Sequence, residues 1–168
     1  MKINQFPIDF TAGITPFFQV KDSERIRFSI TELQDNPGAL KRVFNHLFIW
    51  DESLESIFIS GYETKHGMRR EKLGLGDIFR ITNWKTQKKW NDDLEAYVIY
   101  TQMSRLKSSD VYKYILKLMR GGRHLYISFY NEEYLLYVNS DVLDIVSDES
   151  RITLLKNQFN EMYDRYYE

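Results

Sequence analysis

The stretch from Arg123 to Glu168 constrains the fold more than any other part of this 168-residue chain. Residues 124–130 alternate between apolar and polar side chains, and two further segments rich in strand formers follow at 134–138 and 142–146. A polar turn, Asn139-Ser140-Asp141, separates the last two segments, as is typical of half-buried strands. Apolar residues then recur at helical spacing, at Ile152, Leu155, Phe159 and Met162. The pattern predicts three short strands followed by a long helix.

The preceding segments predict the remaining layers. A helix is expected to begin at Pro37, because Asn36 is a good N-cap and proline suits the first helical turn. Its apolar stripe runs from Leu40 to Leu47, and the polar residues 51–53 are expected to end the helical region. Further elements are predicted as strands at 57–59 and 94–103 and a helix at 110–120. Adjacent strands, with helices that do not strictly alternate with them, predict an α+β fold. We expect one domain over residues 1–168, in which a mainly antiparallel sheet and about three helices form a single pair of layers.

Two other segments carry more specific expectations. Alternating residues on either side of a polar turn predict a hairpin made of residues 17–20 and 25–31. Residues 61–90 contain four glycines and predict an irregular basic insertion or a long hairpin, with a short strand at 78–82.

Composition restricts the environment of the protein. Cysteine is absent, which excludes disulfides and thiolate metal sites and fits a reducing compartment. The net charge is −1, so no global field draws the chain onto nucleic acid or an anionic membrane. No apolar run has the length of a transmembrane helix, and the first residues lack the apolar centre of a secretory signal. We therefore expect a cytoplasmic protein that does not associate with membranes. Export by a route without a cleaved signal is the alternative that these features leave open.

The sequence contains no residues spaced for catalysis or metal binding. Three histidines are present, His46, His66 and His124, and they form no ligand motif. Acidic residues cluster at 51–55, 92–95 and 141–149, where a metal-dependent hydrolase could find ligands. These clusters lie at the ends of predicted elements, where aspartate is common in turns and caps. We predict no catalytic residue, no metal site and no cofactor.

The order of aromatic and acidic segments is shared with a known family. The matching segments are Pro16-Phe17-Phe18, Arg25-Ile26-Arg27-Phe28, a capped helix at 40–48, Asp51-Glu52, a strand at 55–60, paired strands at 133–137 and 142–148, and a closing helix at 151–167. This order resembles the bacterial DUF3885 family of uncharacterised small proteins. The chain departs from the family at Asn139-Ser140-Asp141, where the family more often has an acidic-Arg-Gly turn, and residues 61–90 match only in being basic. The resemblance implies no activity.

Charge is segregated along the chain and predicts two binding surfaces. Residues 65–89 contain eight basic and two acidic residues, a net charge of +6, whereas residues 141–168 contain seven acidic and three basic residues, a net charge of −4. The predicted partner-binding residues of the first region, the basic arm, are Lys65, Arg69, Arg70, Lys72, Trp84, Lys85, Lys88, Lys89 and Trp90. Those of the second region, the acidic end, are Asp141, Asp144, Asp148 and Glu149. Segregated charge suits electrostatic steering toward a protein or a nucleic acid.

We expect a non-catalytic binding protein with a protein partner, because Tyr, Trp and segregated charge suit an interface. An immunity or antitoxin-like role, with a toxin as the partner, is the most specific form of this hypothesis, by analogy with other compact, charged bacterial proteins. One alternative is an RNA- or DNA-binding module that uses residues 65–90, where cations neutralise phosphates and tryptophans stack on bases. The other alternative is a metal-dependent hydrolase.

Overall fold

The computed structural model describes residues 1–3, 6–36, 38–71, 74–80 and 83–167, the last without its side chain. The described strands are β1 (Lys2–Ile3), β2 (Ile8–Asp9), β3 (Arg25–Ser29), β4 (Ser53–Thr64), β5 (Gly67–Arg70), β6 (Trp84–Asn91), β7 (Ala96–Lys107), β8 (Ile127–Tyr130), β9 (Leu135–Val138) and β10 (Val142–Val146). The described α-helices are α1 (Ile30–Asp35), α2 (Ala39–Leu47), α3 (Ser108–Met119) and α4 (Glu149–Gln158).

Eight of these strands form one antiparallel sheet in the order β3-β10-β9-β8-β4-β7-β6, with β5 paired to the end of β4. The α+β class and the mainly antiparallel sheet are confirmed. The three strands predicted at the C-terminal end are β8, β9 and β10, joined as successive hairpins. Asn139 closes the last hairpin, because its side-chain oxygen accepts hydrogen bonds from the backbone N–H groups of Asp141 (2.8 Å) and Val142 (2.9 Å).

The four α-helices pack on one side of the sheet, the helix face. The apolar stripe of α2 is buried as predicted, from Leu40 to Leu47, against residues of the sheet and the other helices. This helix begins at Ala39, after a left-handed Gly38, while Pro37 lies outside the described residues. The largest buried rings of this core include Phe28, Phe44 and Phe129.

The opposite side of the sheet, the N-terminal face, is covered by residues from the start of the chain. Phe10 is fully buried there, with its ring centroid 4.4 Å from that of Tyr126 and 6.2 Å from that of Tyr100. Ile3 and Ile8 join the same apolar cluster. The N-terminal segment therefore adds a partial third layer to the sheet and helices.

The hairpin predicted from residues 17–20 and 25–31 is wrong. Residues Pro16–Gln19 form a 3-10 helix, and β3 pairs with β10 instead, more than 100 residues further along the chain. The guanidinium carbon of Arg27 lies 4.0 Å from the centroid of the Phe17 ring. This cation–π contact holds the 3-10 helix against the sheet. Residues 30 and 31 begin α1 rather than extending the strand.

Residues 61–90 contain more strand than the glycine pattern suggests. β4 continues to Thr64, turns through Lys65 and His66, and pairs with β5. The short strand predicted at 78–82 is not formed over 78–80, and residues 81 and 82 lie outside the described part of the chain. Phe79 is instead buried beside Tyr114 and Phe129.

The closing helix is shorter than predicted. α4 ends at Gln158, and the chain then turns back to β3, where Tyr163 forms an isolated bridge with Phe28. The backbone N–H of Asp164 donates to the carbonyl oxygen of Arg27 at 2.8 Å. This return covers the outer edge of β3 with backbone hydrogen-bonding partners.

Candidate functional site

The basic arm forms the far end of the sheet, on β5 and β6. Successive residues of a strand point to opposite faces, so the arm is divided between the two sides of the sheet. Trp84, Arg70, Lys88 and Trp90 lie on the helix face, because their cross-strand partners include Met103 and Ile99. Arg69, Lys85 and Lys89 lie on the N-terminal face, in register with Tyr62, Gln102 and Val98. Two of the three lysines of β6 therefore do not share a surface with the tryptophans.

Strand β6 is an edge strand exposed on both faces from Trp84 to Trp90. The N–H of Ser104 donates to the carbonyl oxygen of Asn83 at 3.2 Å. In the register of β7 and β6 these two residues lie directly opposite each other, so Asn83 is a residue whose backbone groups point toward β7. Hydrogen-bonded and outward-pointing residues alternate along an antiparallel edge. The backbone groups that point away from β7 are consequently those of Trp84, Thr86, Lys88 and Trp90.

The two tryptophans of β6 are large exposed apolar side chains. Trp84 is 63% exposed and Trp90 is 46% exposed. Trp90 packs edge-on against Tyr97 with a centroid separation of 5.1 Å, and its indole N–H donates to Asp92 at 2.9 Å. Trp90 is thus held in place, whereas Trp84 projects from the start of the strand.

The three lysines of β6 have different surroundings. Lys88 forms an exposed ion pair with Glu63. The Lys89 ammonium donates to the carbonyl oxygen (3.1 Å) and hydroxyl oxygen (2.9 Å) of Thr11, which ties the N-terminal segment to this edge. Within the described chain, Lys85 has no ion pair or hydrogen bond from its side chain. No described carboxylate therefore neutralises the positive charges of Lys85 and Lys89.

The remaining basic-arm residues lie around β5. Lys65 is in the exposed turn between β4 and β5, and Arg69 lies 3.9 Å from a carboxylate oxygen of Glu71. Arg70 has no ion-pair partner among the described residues. Lys72 lies outside the described part of the chain.

The acidic end does not form one acidic surface. Asp144 is fully buried and receives two hydrogen bonds from the Arg27 guanidinium, at 2.6 and 2.8 Å. Burial raises the pKa of Asp144, and the hydrogen bonds from Arg27 act in the opposite direction. Because it is inside the protein, Asp144 is unable to meet a partner, and its inclusion in an exposed binding surface is corrected.

The other acidic-end residues have local roles. Asp141 is exposed in the turn before β10. Asp148 is the N-cap of α4, where its side chain accepts from the backbone N–H of Arg151 at 3.0 Å, and Glu149 lies in the first helical turn. The pKa of Asp148 is lowered to about 2, mainly by a hydrogen bond from the Ser150 hydroxyl and next by the hydrogen bond from the Arg151 backbone N–H. These positions complement the helix dipole and stabilise the start of α4.

The structure also contains a polar cleft of about 830 Å³ that the sequence does not reveal as a unit. Glu55 lies at its wall and accepts hydrogen bonds from the Tyr130 hydroxyl and the Gln102 amide, both at 2.9 Å. Burial, with the neighbouring Glu55 carboxylate, raises the pKa of Tyr130. His46 and Arg105 line the same cleft, and Arg105 has a left-handed backbone with φ of 62°. The network joins three strands, and strand periodicity alone does not indicate which residues it brings together.

Within the described residues, no group of three or more His, Asp or Glu side chains is arranged to hold a metal ion. The described helices are all too short or too polar to cross a membrane. Comparisons with protein-family models, curated proteins and solved structures each found no match. The resemblance to the DUF3885 family stays a prediction.

Proposed function

We propose that this protein binds an extended acidic segment of a partner protein, which adds a strand to the sheet at β6. The observation that carries the proposal is the exposed eight-residue edge formed by Trp84–Asn91. Its outward backbone groups at Trp84, Thr86, Lys88 and Trp90 are ready to form a ladder with an incoming strand. Main-chain hydrogen bonds supply affinity in such complexes, and alternate side chains supply specificity.

The two faces of β6 specify the pattern of the partner. Apolar residues on the helix face of the incoming strand would contact Trp84 and Trp90, whose exposed area suits an interface. Acidic residues on its other face would meet Lys85 and Lys89, whose charges have no carboxylate partner among the described residues. We therefore expect acidic and apolar side chains to alternate along the bound segment.

A second copy of this chain fits the edge less well. Antiparallel self-pairing that placed Trp84 opposite Trp90 of the other copy would also place Lys85 opposite Lys89, twice. Like charges directly opposite one another destabilise a strand pair, and edge lysines commonly prevent such association. Charge complementarity thus favours an acidic partner over a homodimer.

The opposite edge of the sheet offers a weaker site. Along β3, Tyr163 and Asp164 already bond to Phe28 and Arg27. Within the described residues, β6 is therefore the longer edge whose backbone groups stay available.

A pair of variants at Thr86 tests the proposal. Thr86→Pro removes one outward N–H and leaves the ladder to β7 unbroken, because proline is tolerated where an edge N–H faces solvent. Thr86→Val keeps the N–H and is the matched control. Displayed random 12-residue peptides would be selected on the wild-type protein and then measured on both variants. We expect peptides with alternating acidic and apolar residues that bind wild type and Thr86→Val but lose at least about tenfold in affinity to Thr86→Pro.

Two outcomes would contradict the addition of a partner strand at β6. Selection of peptides that bind Thr86→Pro as well as wild type, or no selection above background, would remove the support for strand addition. Amide exchange of both variants, recorded without peptide, verifies that β6 and β7 remain paired.

The immunity or antitoxin-like role is a narrower form of the same proposal, in which a toxin domain supplies the acidic strand. It predicts that co-expression with the cognate toxin rescues growth, and that Thr86→Pro abolishes the rescue while Thr86→Val retains it. Rescue by Thr86→Pro at the wild-type level would separate such a role from the β6 edge.

Nucleic-acid binding by the basic arm is the second candidate. Arg70, Lys88 and the two tryptophans share the helix face, which is the arrangement that base stacking and phosphate contacts require. Against it, Lys88 is paired with Glu63, and Lys85 and Lys89 lie on the opposite face. Retention of single-stranded RNA on filters, with affinity falling steeply with salt, would favour this candidate over the protein partner.

A further inference from the structure

A trough lies on the helix face between β5 and β6, beyond the part of the sheet that the helices cover. Its volume is about 390 Å³, within the range of small-molecule sites. The floor is formed by β4 and β7, with the buried side chains of Phe58 and Ile99. The loop at residues 74–76 lines the trough as well, and buried Leu75 adds to its apolar surface.

Each of the two walls of the trough carries one large, exposed apolar side chain. Met68 on β5 is 50% exposed and Trp84 on β6 is 63% exposed, and both line the trough. Exposed apolar side chains that surround an apolar floor provide a surface that gains free energy when an apolar body covers it.

Gly61 fixes how closely the β5 wall approaches the floor. A side chain at this position would place its Cβ 2.5 Å from the carbonyl oxygen of Arg69, on the strand that pairs with β4. Glycine permits this close approach because it has no Cβ. Arg70 is the residue of β5 directly opposite Gly61. The backbone thus holds Arg70 at the rim of the trough.

Among the described residues, Arg70 is a cation of the trough that the neighbouring acids leave without an ion pair. Glu71, which also lines the trough, is held by Arg123 at 2.7 Å and lies 3.9 Å from Arg69. Lys88 on the opposite wall is paired with Glu63. No described carboxylate forms an ion pair with Arg70.

Two hydroxyl groups on the floor of the trough, those of Ser60 and Thr101, are already engaged in hydrogen bonds. The Thr101 hydroxyl donates to the Ser60 oxygen at 2.7 Å, and the Ser60 hydroxyl donates to the carbonyl oxygen of Ile99 at 3.2 Å. Both of these donors are therefore used, and the Arg70 guanidinium supplies a charged donor for an anion. Guanidinium groups bind carboxylates through two parallel hydrogen bonds.

We propose that this trough binds a small carboxylate with an aromatic or branched aliphatic body. The body lies on Phe58, Met68 and Trp84, and the carboxylate pairs with Arg70. A small molecule suits the trough better than a protein segment, because the two walls and the 74–76 loop bound a volume of ligand size. The site shares Trp84 with the proposed protein interface, but its other contacts, Phe58, Met68 and Arg70, lie away from the outer edge of β6. The proposal therefore does not depend on the proposed protein partner.

Titration with 4-phenylbutyrate, followed by two-dimensional ¹H–¹⁵N NMR of the full chain, tests this site. We expect shifts of the Trp84 indole N–H and of backbone amides in β5 and β6. The neutral amide, 4-phenylbutanamide, should bind at least about tenfold more weakly, since it lacks the charge that pairs with Arg70. Arg70→Gln should weaken phenylbutyrate binding to the same extent and leave binding of the amide unchanged.

Arg69→Gln is the matched control, because Arg69 is the adjacent cation on the opposite face of the same strand. It should bind phenylbutyrate like the wild type. Equal losses in the two variants would show a nonspecific effect of charge and would overturn the proposal. So would shifts scattered over the surface, or an absence of shifts up to about 10 mM ligand, well above the dissociation constants of specific small-molecule sites. The dispersion of each variant's spectrum verifies that it is folded.

Discussion

At the scale of single residues, burial decides what each charge does. Asp144 and Lys85 are both charged strand residues, yet one is enclosed against Arg27 and the other has no partner among the described residues. A buried ion pair is costly to break, because the remaining charge stays in a medium that solvates it poorly. The same residue types therefore stabilise the interior at one position and offer a contact at another.

Asp144→Ala is expected to lower the free energy of unfolding by about 3–5 kcal/mol, because Arg27 is left charged and buried. Urea unfolding followed by circular dichroism measures the change. The control is Asp141→Ala, an exposed aspartate in the preceding turn, whose effect should stay within about 0.5 kcal/mol. The double variant Arg27→Met with Asp144→Leu should recover part of the loss. A single variant as stable as wild type would mean that the pair is not enclosed in solution.

At the scale of elements, caps and edges set where helices and strands end. α4 begins at a capped Asp148 and ends after ten residues, because the chain returns to cover β3. β6 has no such cover on its outer side in the described structure. The contrast between the two edges is what makes one of them a candidate interface.

The cap of α4 should make stability depend on pH. The pKa of Asp148 is about 2 in the folded protein, below its ordinary value of 3.8, so the charged cap contributes fully at neutral pH. This contribution is lost as the pH falls from about 4 toward 2, because the folded-state pKa is the depressed one. Asp148→Asn keeps a capping side chain that does not titrate. The difference in urea midpoint between wild type and this variant should shrink as the pH is lowered from 7 to about 2.5.

Glu149→Gln supplies the comparison for this pH series. It removes a neighbouring charge from the first turn of α4 but leaves the cap in place. A pH profile that is the same for Asp148→Asn and Glu149→Gln would assign the acid sensitivity to general charge repulsion instead of the cap.

At the scale of the whole molecule, the sheet apart from β5 and β6 is covered by helices on one face and, in part, by the N-terminal segment on the other. The second cover depends on Phe10 in the core and on the hydrogen bonds between Lys89 and Thr11 at its rim. The start of the chain is thus tied directly to the strand proposed to bind a partner. The candidate interface is therefore stabilised by a contact between residues 78 positions apart in the chain.

Phe10→Ala should therefore destabilise the whole protein, by about 3–5 kcal/mol, because it removes a fully buried ring that contacts Tyr100 and Tyr126. Ile14→Ala, at a half-exposed position in the same segment, is the control and should have little effect. Thermal unfolding monitored at several wavelengths would give both values. An unchanged melting temperature for Phe10→Ala would show that the N-terminal segment is not part of the cooperative core.

The sequence by itself determined the class of fold and most of its elements. Periodicity is a local property, so the strands from Ile127 to Val146 and the apolar stripe of α2 follow from residues close together in the chain. The excess of lysine and arginine in the basic arm is likewise a local property that the sequence shows directly. Its division into two faces follows from strand alternation, but only once the limits of β5 and β6 are known.

The tertiary structure alone decided which strands are neighbours, which edge stays open and which charges are enclosed. The pairing of β3 with β10 overrode the predicted local hairpin, and the ion pair between Arg27 and Asp144 spans 117 positions. Contacts at such separation depend on how complete faces pack against one another, and local propensity does not encode that packing. The Arg123–Glu168 stretch was therefore predictable as a series of elements, whereas the role of each of its acids was not.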